Sequence, residues 1–190
     1  METKLLSSLL EQPTGDFLFD FSAEVFVSKN KDVEVFLKTK AVQSTKLQTS
    51  ATYLVYDYSE GADLLGYFTL ATKMFTLNPD NLTSKQTKTI RRFVALDEST
   101  NTFRLPAVLL AQFGRNFSDD STSIHGIDLM NIALDCVKAA VSLTSGKLVF
   151  LECEPKKKLI DFYQSCGFFL TDNSVLSKSS KELVQMFRFI

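Results

Sequence analysis

Three features of the sequence predict an α/β domain built on a central mixed sheet flanked by helices. Two nearly unbroken apolar runs, 103–114 and 147–154, read as strands buried on both faces. Helical periodicity follows each run, as strand–helix units require. Earlier in the chain, 49–77 holds two apolar segments around a turn, the pattern of an antiparallel hairpin. At 190 residues the chain is long enough for one well-buried domain and short for two. No repeat, low-complexity segment or linker divides it, so 1–190 reads as a single domain.

The elements follow in order. "GDFLFDFS" (15–22) alternates Phe17, Phe19 and Phe21, a period-two signal that predicts a strand. "NKDVEVFLKTKAVQ" (30–43) predicts a helix, with Asn30 or Asp32 as cap and Val33, Phe36, Leu37 and Ala41 as its apolar stripe. In 49–77 the turn falls at Glu60-Gly61. "NPDNLTSKQTKTIRRF" (78–93) is polar and predicts a short helix with a loop. A polar loop, 115–126, follows the first buried strand. Beyond it Leu129, Ile132, Ala133, Cys136, Val137 and Ala140 recur at helical spacing, and Gly146 closes that helix. After the second buried strand, Pro155 fits the first turn of another helix, which Gly167 ends. "FFLTD" and "LVQMFRFI" predict two final strands.

Composition excludes several functions. The chain is 45% hydrophobic and 23% charged, the balance of a globular protein rather than a disordered one. Its net charge of −1 supplies no whole-molecule field that would gather nucleic acid or an anionic membrane. Cys136, Cys153 and Cys166 lack CxxC spacing and His125 is the only histidine, so a metal site is not expected. No run reaches the roughly 20 apolar residues of a membrane span. The N-terminal stretch has acids and no apolar h-region. The chain reads as soluble and cytoplasmic, with reduced thiols.

Function is sought in the loop and the two helices that follow the buried strands. The first turn of a helix presents unpaired backbone N–H groups and a partial positive charge, which suit a phosphate. "STSIHGID" (121–128) is a loop able to turn its amides that way, with Gly126 permitting close approach. Alone this is also the signature of an ordinary turn. The order of elements over 105–169 resembles the core of the GNAT superfamily, acetyltransferases that use acetyl-CoA. The carrying residues are the strand "VLLAQFG", the helix "GIDLMNIAL", the strand "KLVFLECE" and "FYQSCGF" (162–168), similar to a Tyr-x-x-x-Gly-Phe signature. "VEVFLKTKA", "ATYLVYD" and "LLGYFTL" look like the family's first helix and hairpin, in the layout of bacterial toxin-type members.

The resemblance implies a GNAT-like fold, acetyl-CoA as co-substrate and transfer of the acetyl group to an amine. It implies pantetheine contacts from the backbone of Leu110, Ala111 and Gln112. Coenzyme phosphate contacts are expected from the loop at Arg115, Ser121, Ser123, Ile124, His125, Gly126 and Ile127. The loop departs from the family pattern: Ser121 stands where a basic or amide residue is usual and Ile124 where a glycine is usual. Lys156 replaces an Asn seven residues before the tyrosine, and a lysine there is able to reach a phosphate as a point charge.

Tyr163 is the candidate catalyst: a phenol is protonated at neutral pH and can supply the proton that a departing thiolate needs. Its alternative is a core tyrosine whose hydroxyl is capped by backbone. Glu152 is a possible base for the acceptor amine, or pairs with a lysine to offset burial on its strand. No Cys–His pairing is visible, which favours direct attack by the amine over a covalent intermediate. The acceptor stays open among a small amine, a protein amine and an aminoacyl-tRNA. The resemblance is compatible with a homodimer and implies no membrane partner. Lys85 and "KTIRR" (88–92) form the dense basic cluster, either solvated charge or a nucleic-acid contact. Two rival readings are a degenerate relative that binds the coenzyme or a partner without turnover, and an RNA-binding module.

Overall fold

In the computed structural model, which describes residues 1–59, 61–118, 124–177 and 180–190, the chain opens with β1 (Glu2–Leu5) and α1 (Leu6–Leu10). The next element, α2 (Gly15–Val25), corrects the strand expected over 15–22. Its buried residues, Gly15, Phe19, Ser22 and Ala23, recur at helical spacing, while Phe17 and Phe21 stay exposed. The phenylalanine alternation was therefore not a two-sided strand pattern. α3 (Lys31–Thr39) starts as expected, with the Asn30 side chain accepting from the Asp32 N–H at 3.0 Å. Such a cap stabilises a helix by about 1 kcal/mol. The run breaks at Lys40 and resumes as α4 (Ala41–Lys46).

β2 (Ala51–Asp57) and β3 (Asp63–Leu77) form the expected antiparallel hairpin, with Leu54 opposite Tyr67. A 3-10 turn (Pro79–Asn81) leads to α5 (Ser84–Ile90), which begins in a capping box between Thr83 and Gln86. β4 (Phe103–Arg115) differs from the strand buried on both faces. Phe103, Leu105 and Ala107 are buried and alternate with exposed Arg104 and Pro106, and Ala111–Arg115 are only half-buried. Its apolar run reflects two different half-covered stretches rather than one enclosed strand. α6 (Gly126–Thr144), β5 (Leu148–Cys153), α7 (Lys157–Ser165), β6 (Phe169–Leu176) and β7 (Glu182–Phe189) complete the chain. Pro155 precedes the N-cap, Lys156, and so lies outside the first turn where it was expected.

The seven strands form one mixed sheet in the order β1-β2-β3-β4-β5-β7-β6, with helices flanking it. Contacts group the chain into two compact units: Met1–Ala71 with Leu110–Cys136, and Thr72–Leu109 with Val137–Ile190. The first unit's core gathers Leu6, Phe19, Phe26, Leu37, Leu54 and Tyr67. Its two deeply buried phenols are satisfied, Tyr67 donating to the Val33 carbonyl and Tyr56 to Ser22 Oγ at 3.0 Å. The second unit's core is built on Phe75, Phe103, Leu148, Phe150 and Phe187, with Phe75 stacked on Phe150 at 4.4 Å. Among the described residues no helix is long and apolar enough to cross a membrane.

Candidate active site

The expected site residues fall into two sets, one in each unit. The first begins in the second half of β4. Leu110 is buried, while Ala111 and Gln112 are half-buried. Gly114 permits a close approach there: a Cβ on it would stand 2.6 Å from Val33 Cγ1. The chain is then clamped by Asn116, whose Oδ1 accepts from the Val27 and Ser118 N–H groups while Nδ2 donates to the Leu64 carbonyl. Its own N–H donates to Leu65 and that of Phe117 to Val27. Nothing in the sequence marked Asn116, because its partners are up to 89 residues away.

The far end of the loop is tied by Arg115, whose Nη1 donates to the Ile124 carbonyl at 2.7 Å. Arg115, expected as a phosphate ligand, thus has a loop-closing contact, and among the described residues its other N–H donors make no hydrogen bond. Its guanidinium also lies 4.7 Å from the Phe117 ring centroid, with Lys29 Nζ at 4.5 Å from the same ring. Lys29 is a second cation at the loop entrance that sequence order alone does not bring there. Ser121 and Ser123 lie outside the described residues.

Ile124 is buried, so it anchors the loop through its side chain. His125 is exposed, and its carbonyl accepts from the N–H groups of Asp128 and Leu129, which makes it the N-cap of α6. The N–H groups of Gly126 and Ile127 make no hydrogen bond among the described residues. These two amides, at the positive end of a 19-residue helix, have the character a pyrophosphate group needs. Asp128, also in the first turn, is the opposing charge.

The second set centres on α7. Lys156 pairs with Glu154, and Lys157 with Asp161 at 2.6 Å, so the basic start of this helix is partly neutralised. Glu152 departs from expectation. It is exposed rather than buried, and among the described residues it accepts from Gln185 Nε2 at 2.9 Å rather than from a lysine. The register of β5 against β7 sets Glu152 directly opposite Gln185.

The end of α7 explains the spacing of its signature. Gly167 has φ +83°, the left-handed conformation that terminates helices. The Gly167 N–H donates to Gln164 at 2.9 Å and the Phe168 N–H to Tyr163 at 3.0 Å. That is the bond pattern of a Schellman motif, with Tyr163 three positions before the cap and Phe168 two beyond it. The apolar contact that accompanies such motifs is the Tyr163–Phe168 ring pair, centroids 6.0 Å apart and edge-on. The local fold therefore requires the glycine and a large apolar pair, but no hydroxyl.

Among the described residues the Tyr163 hydroxyl makes no hydrogen bond, unlike those of Tyr56 and Tyr67. It is not a buried orphan either, since the oxygen in that condition is Thr45 Oγ1. No backbone carbonyl among the described residues caps the Tyr163 hydroxyl. Crowding around the phenol pushes its pKa above the ordinary value of 10.0, with the Cys153 and Cys166 thiols adding to the effect. Burial likewise pushes the Cys153 thiol up to about 11. Cys136 and Cys166 are also raised, chiefly by burial, and all three cysteines are free. No metal-binding group of His, Cys, Asp and Glu occurs among the described residues.

The mixed seven-stranded sheet with flanking helices is a GNAT-like fold. No family model and no curated protein matches the chain. Solved structures of that fold do match. AtaT complexed with acetyl-methionyl-tRNAfMet is 18% identical, with a TM-score of 0.65 over 96% of this chain and 92% of that one. A tyrosine-to-phenylalanine mutant of KacT is 18% identical, with a TM-score of 0.67 over 96% of this chain and 92% of that one. AtaTR bound with acetyl-CoA is 17% identical, with a TM-score of 0.59 over 99% and 92%. At such identities the likeness is one of fold.

Proposed function

We propose that this protein is an acetyl-CoA-dependent N-acetyltransferase in which Tyr163 protonates the departing thiolate. The observation that carries the reading is the Tyr163 hydroxyl at the end of α7, which makes no hydrogen bond among the described residues and for which the turn itself has no use. Acetyl-CoA supplies the activated acyl thioester. The amides of Gly126 and Ile127 receive its pyrophosphate, Arg115 holds the loop that presents them, and the backbone of Leu110, Ala111 and Gln112 meets its pantetheine arm. Lys156, at the start of α7, is a further candidate for the coenzyme's charged end, and the roles of Ser121 and Ser123, outside the described residues, rest on the family resemblance alone.

A phenol is protonated at neutral pH, and burial raises the Tyr163 pKa further. That rise also weakens Tyr163 as an acid, but a thiolate leaving in the same crowded surroundings is made more basic, as Cys153 illustrates. Direct attack by the acceptor amine is supported by the three raised thiols, since a cysteine nucleophile needs a depressed pKa. Glu152, exposed and accepting from Gln185, is the candidate for taking the amine's proton through water.

For the acceptor we favour the α-amine of an aminoacyl-tRNA. AtaT has been solved with acetyl-methionyl-tRNAfMet. In this chain Lys85, Lys88, Arg91 and Arg92 are exposed and form no ion pair among the described residues, and an open hollow of about 460 Å³ runs beside Lys88 and Arg91. Unneutralised cations of this kind suit a phosphate backbone. The test uses labelled acetyl-CoA with methionyl-tRNA, a lysine-containing peptide and a polyamine. Label on methionyl-tRNA is expected. Label on the peptide or polyamine alone refutes the acceptor but not the chemistry. Calorimetric binding of acetyl-CoA without transfer to any acceptor leaves the degenerate relative, and no binding refutes the whole reading.

A further inference from the structure

We propose that Arg188 is a positioning residue for Tyr163, acting through the turn that ends α7; the inference rests on the reading of Tyr163 as proton donor. No side chain of α7 between Lys157 and Ser165 is fully buried, and Leu159, Ile160, Phe162 and Tyr163 are each half-buried. Packing along the helix therefore orients it weakly, and its ends carry more of the constraint. The C-terminal end is where Tyr163 sits.

Arg188 approaches that end from β7. Its neighbour Phe187 packs into the core with Phe75, so strand alternation sends Arg188 to the opposite face of the sheet. There Nη1 donates to the carbonyl of Cys166, the cap residue of α7. Arg188 Cζ, Nε and Nη1 all stand 3.6 Å from the point a Cβ on Gly167 would occupy, so the guanidinium lies broadside over the glycine. A side chain at 167 would meet that plane.

Arg188 forms no ion pair with a carboxylate among the described residues. Its charge meets the carbonyl end of α7 instead, where a cation is favourable. The turn it clamps is bonded to Tyr163 directly, because the Phe168 N–H donates to the tyrosine's own carbonyl. Loosening the turn moves the Tyr163 backbone, and the hydroxyl at the far end of the side chain moves further. A misplacement of about 1 Å is enough to cost roughly 10²-fold in rate.

The test measures acetyl transfer from acetyl-CoA to methionyl-tRNA by wild type, Arg188→Met, Arg188→Lys, Tyr163→Phe and the Met/Phe double variant. Arg188→Met is expected to lower kcat by roughly 10- to 100-fold, with KM for acetyl-CoA within about twofold. Arg188→Lys, which keeps a donor but not the flat face, recovers part of the loss. The double variant should be no slower than Tyr163→Phe alone, since Arg188 acts only through that hydroxyl. Wild-type kcat in Arg188→Met beside a slow Tyr163→Phe overturns the inference and leaves the parent reading standing. Multiplying losses in the double variant overturn it too. A Tyr163→Phe variant at wild-type rate sinks the parent reading instead. In that case, or if Arg188→Met does not fold, amide exchange at Gly167 and Phe168 in Arg188→Lys decides the clamp: faster exchange supports it and unchanged protection removes it.

Discussion

Replacing Gly167 with alanine isolates the cost of the turn that carries Tyr163. The residue sits at φ +83°, where an L side chain is strained by roughly 1–2 kcal/mol. Sterics add little, because the new Cβ would lie 3.6 Å from the Arg188 guanidinium, an ordinary contact. The loss is thus almost wholly conformational. For a chain of 190 residues, 1 kcal/mol moves Tm by about 2–4 °C, so Gly167→Ala should melt roughly 2–8 °C below wild type. Gly167→Asn should fall between the two, since asparagine tolerates this conformation better. The assay is thermal denaturation followed by circular dichroism. Equal melting of Ala and wild type, or Ala above Asn, would refute the assignment of a left-handed turn at 167 and the account of its spacing.

Other tests probe the remaining parts of the account. Hydrogen bonds from Lys31, the Ser28 N–H and Lys38 hold the Glu34 carboxyl down from 4.5 to about 2. A depressed carboxyl stabilises the fold above its unfolded pKa and loses that contribution as pH falls through 4.5 towards 2. Glu34→Gln should therefore lower Tm at neutral pH, with the gap to wild type closing across that acid window; a constant gap contradicts this. Arg115→Met opens the tie to Ile124 and should weaken acetyl-CoA binding by roughly tenfold in calorimetry, the worth of one hydrogen bond from a charged group. Unchanged affinity would take the loop out of the site. The Cys153 and Cys166 thiols should resist iodoacetamide at pH 8 in the folded protein and react on unfolding, as their burial and raised pKa values require. Rapid labelling of either in the native state would contradict the packing around Tyr163.

Local signals were legible and long-range ones were not. Asn30 before a helical stripe and Gly167 four residues after Tyr163 are decided within a few residues, by a cap and a turn. The hairpin of β2 and β3 was likewise set by adjacent segments. Over 15–22 two periodicities compete, and the helix prevails although it leaves Phe17 77% and Phe21 55% exposed, an outcome that an inside–outside rule weighs against. The exposed Glu152 depends on the register of β5 with β7, and that pairing joins residues 33 apart. Arg188 over Gly167, Asn116 against Val27 and Lys29 beside Phe117 are all contacts between distant segments. No pattern of neighbouring residues encodes them.

Tyr163→Phe tests the central claim most directly, by acetyl transfer from acetyl-CoA to methionyl-tRNA measured beside acetyl-CoA affinity and Tm. The variant keeps the ring that packs on Phe168 and removes an oxygen that bonds to nothing among the described residues, so stability should hardly change. A proton donor's loss should lower turnover by roughly 10²–10⁴ while affinity stays within about twofold. Wild-type turnover in the phenylalanine variant would contradict the account and leave Tyr163 as the apolar partner in a helix-ending turn.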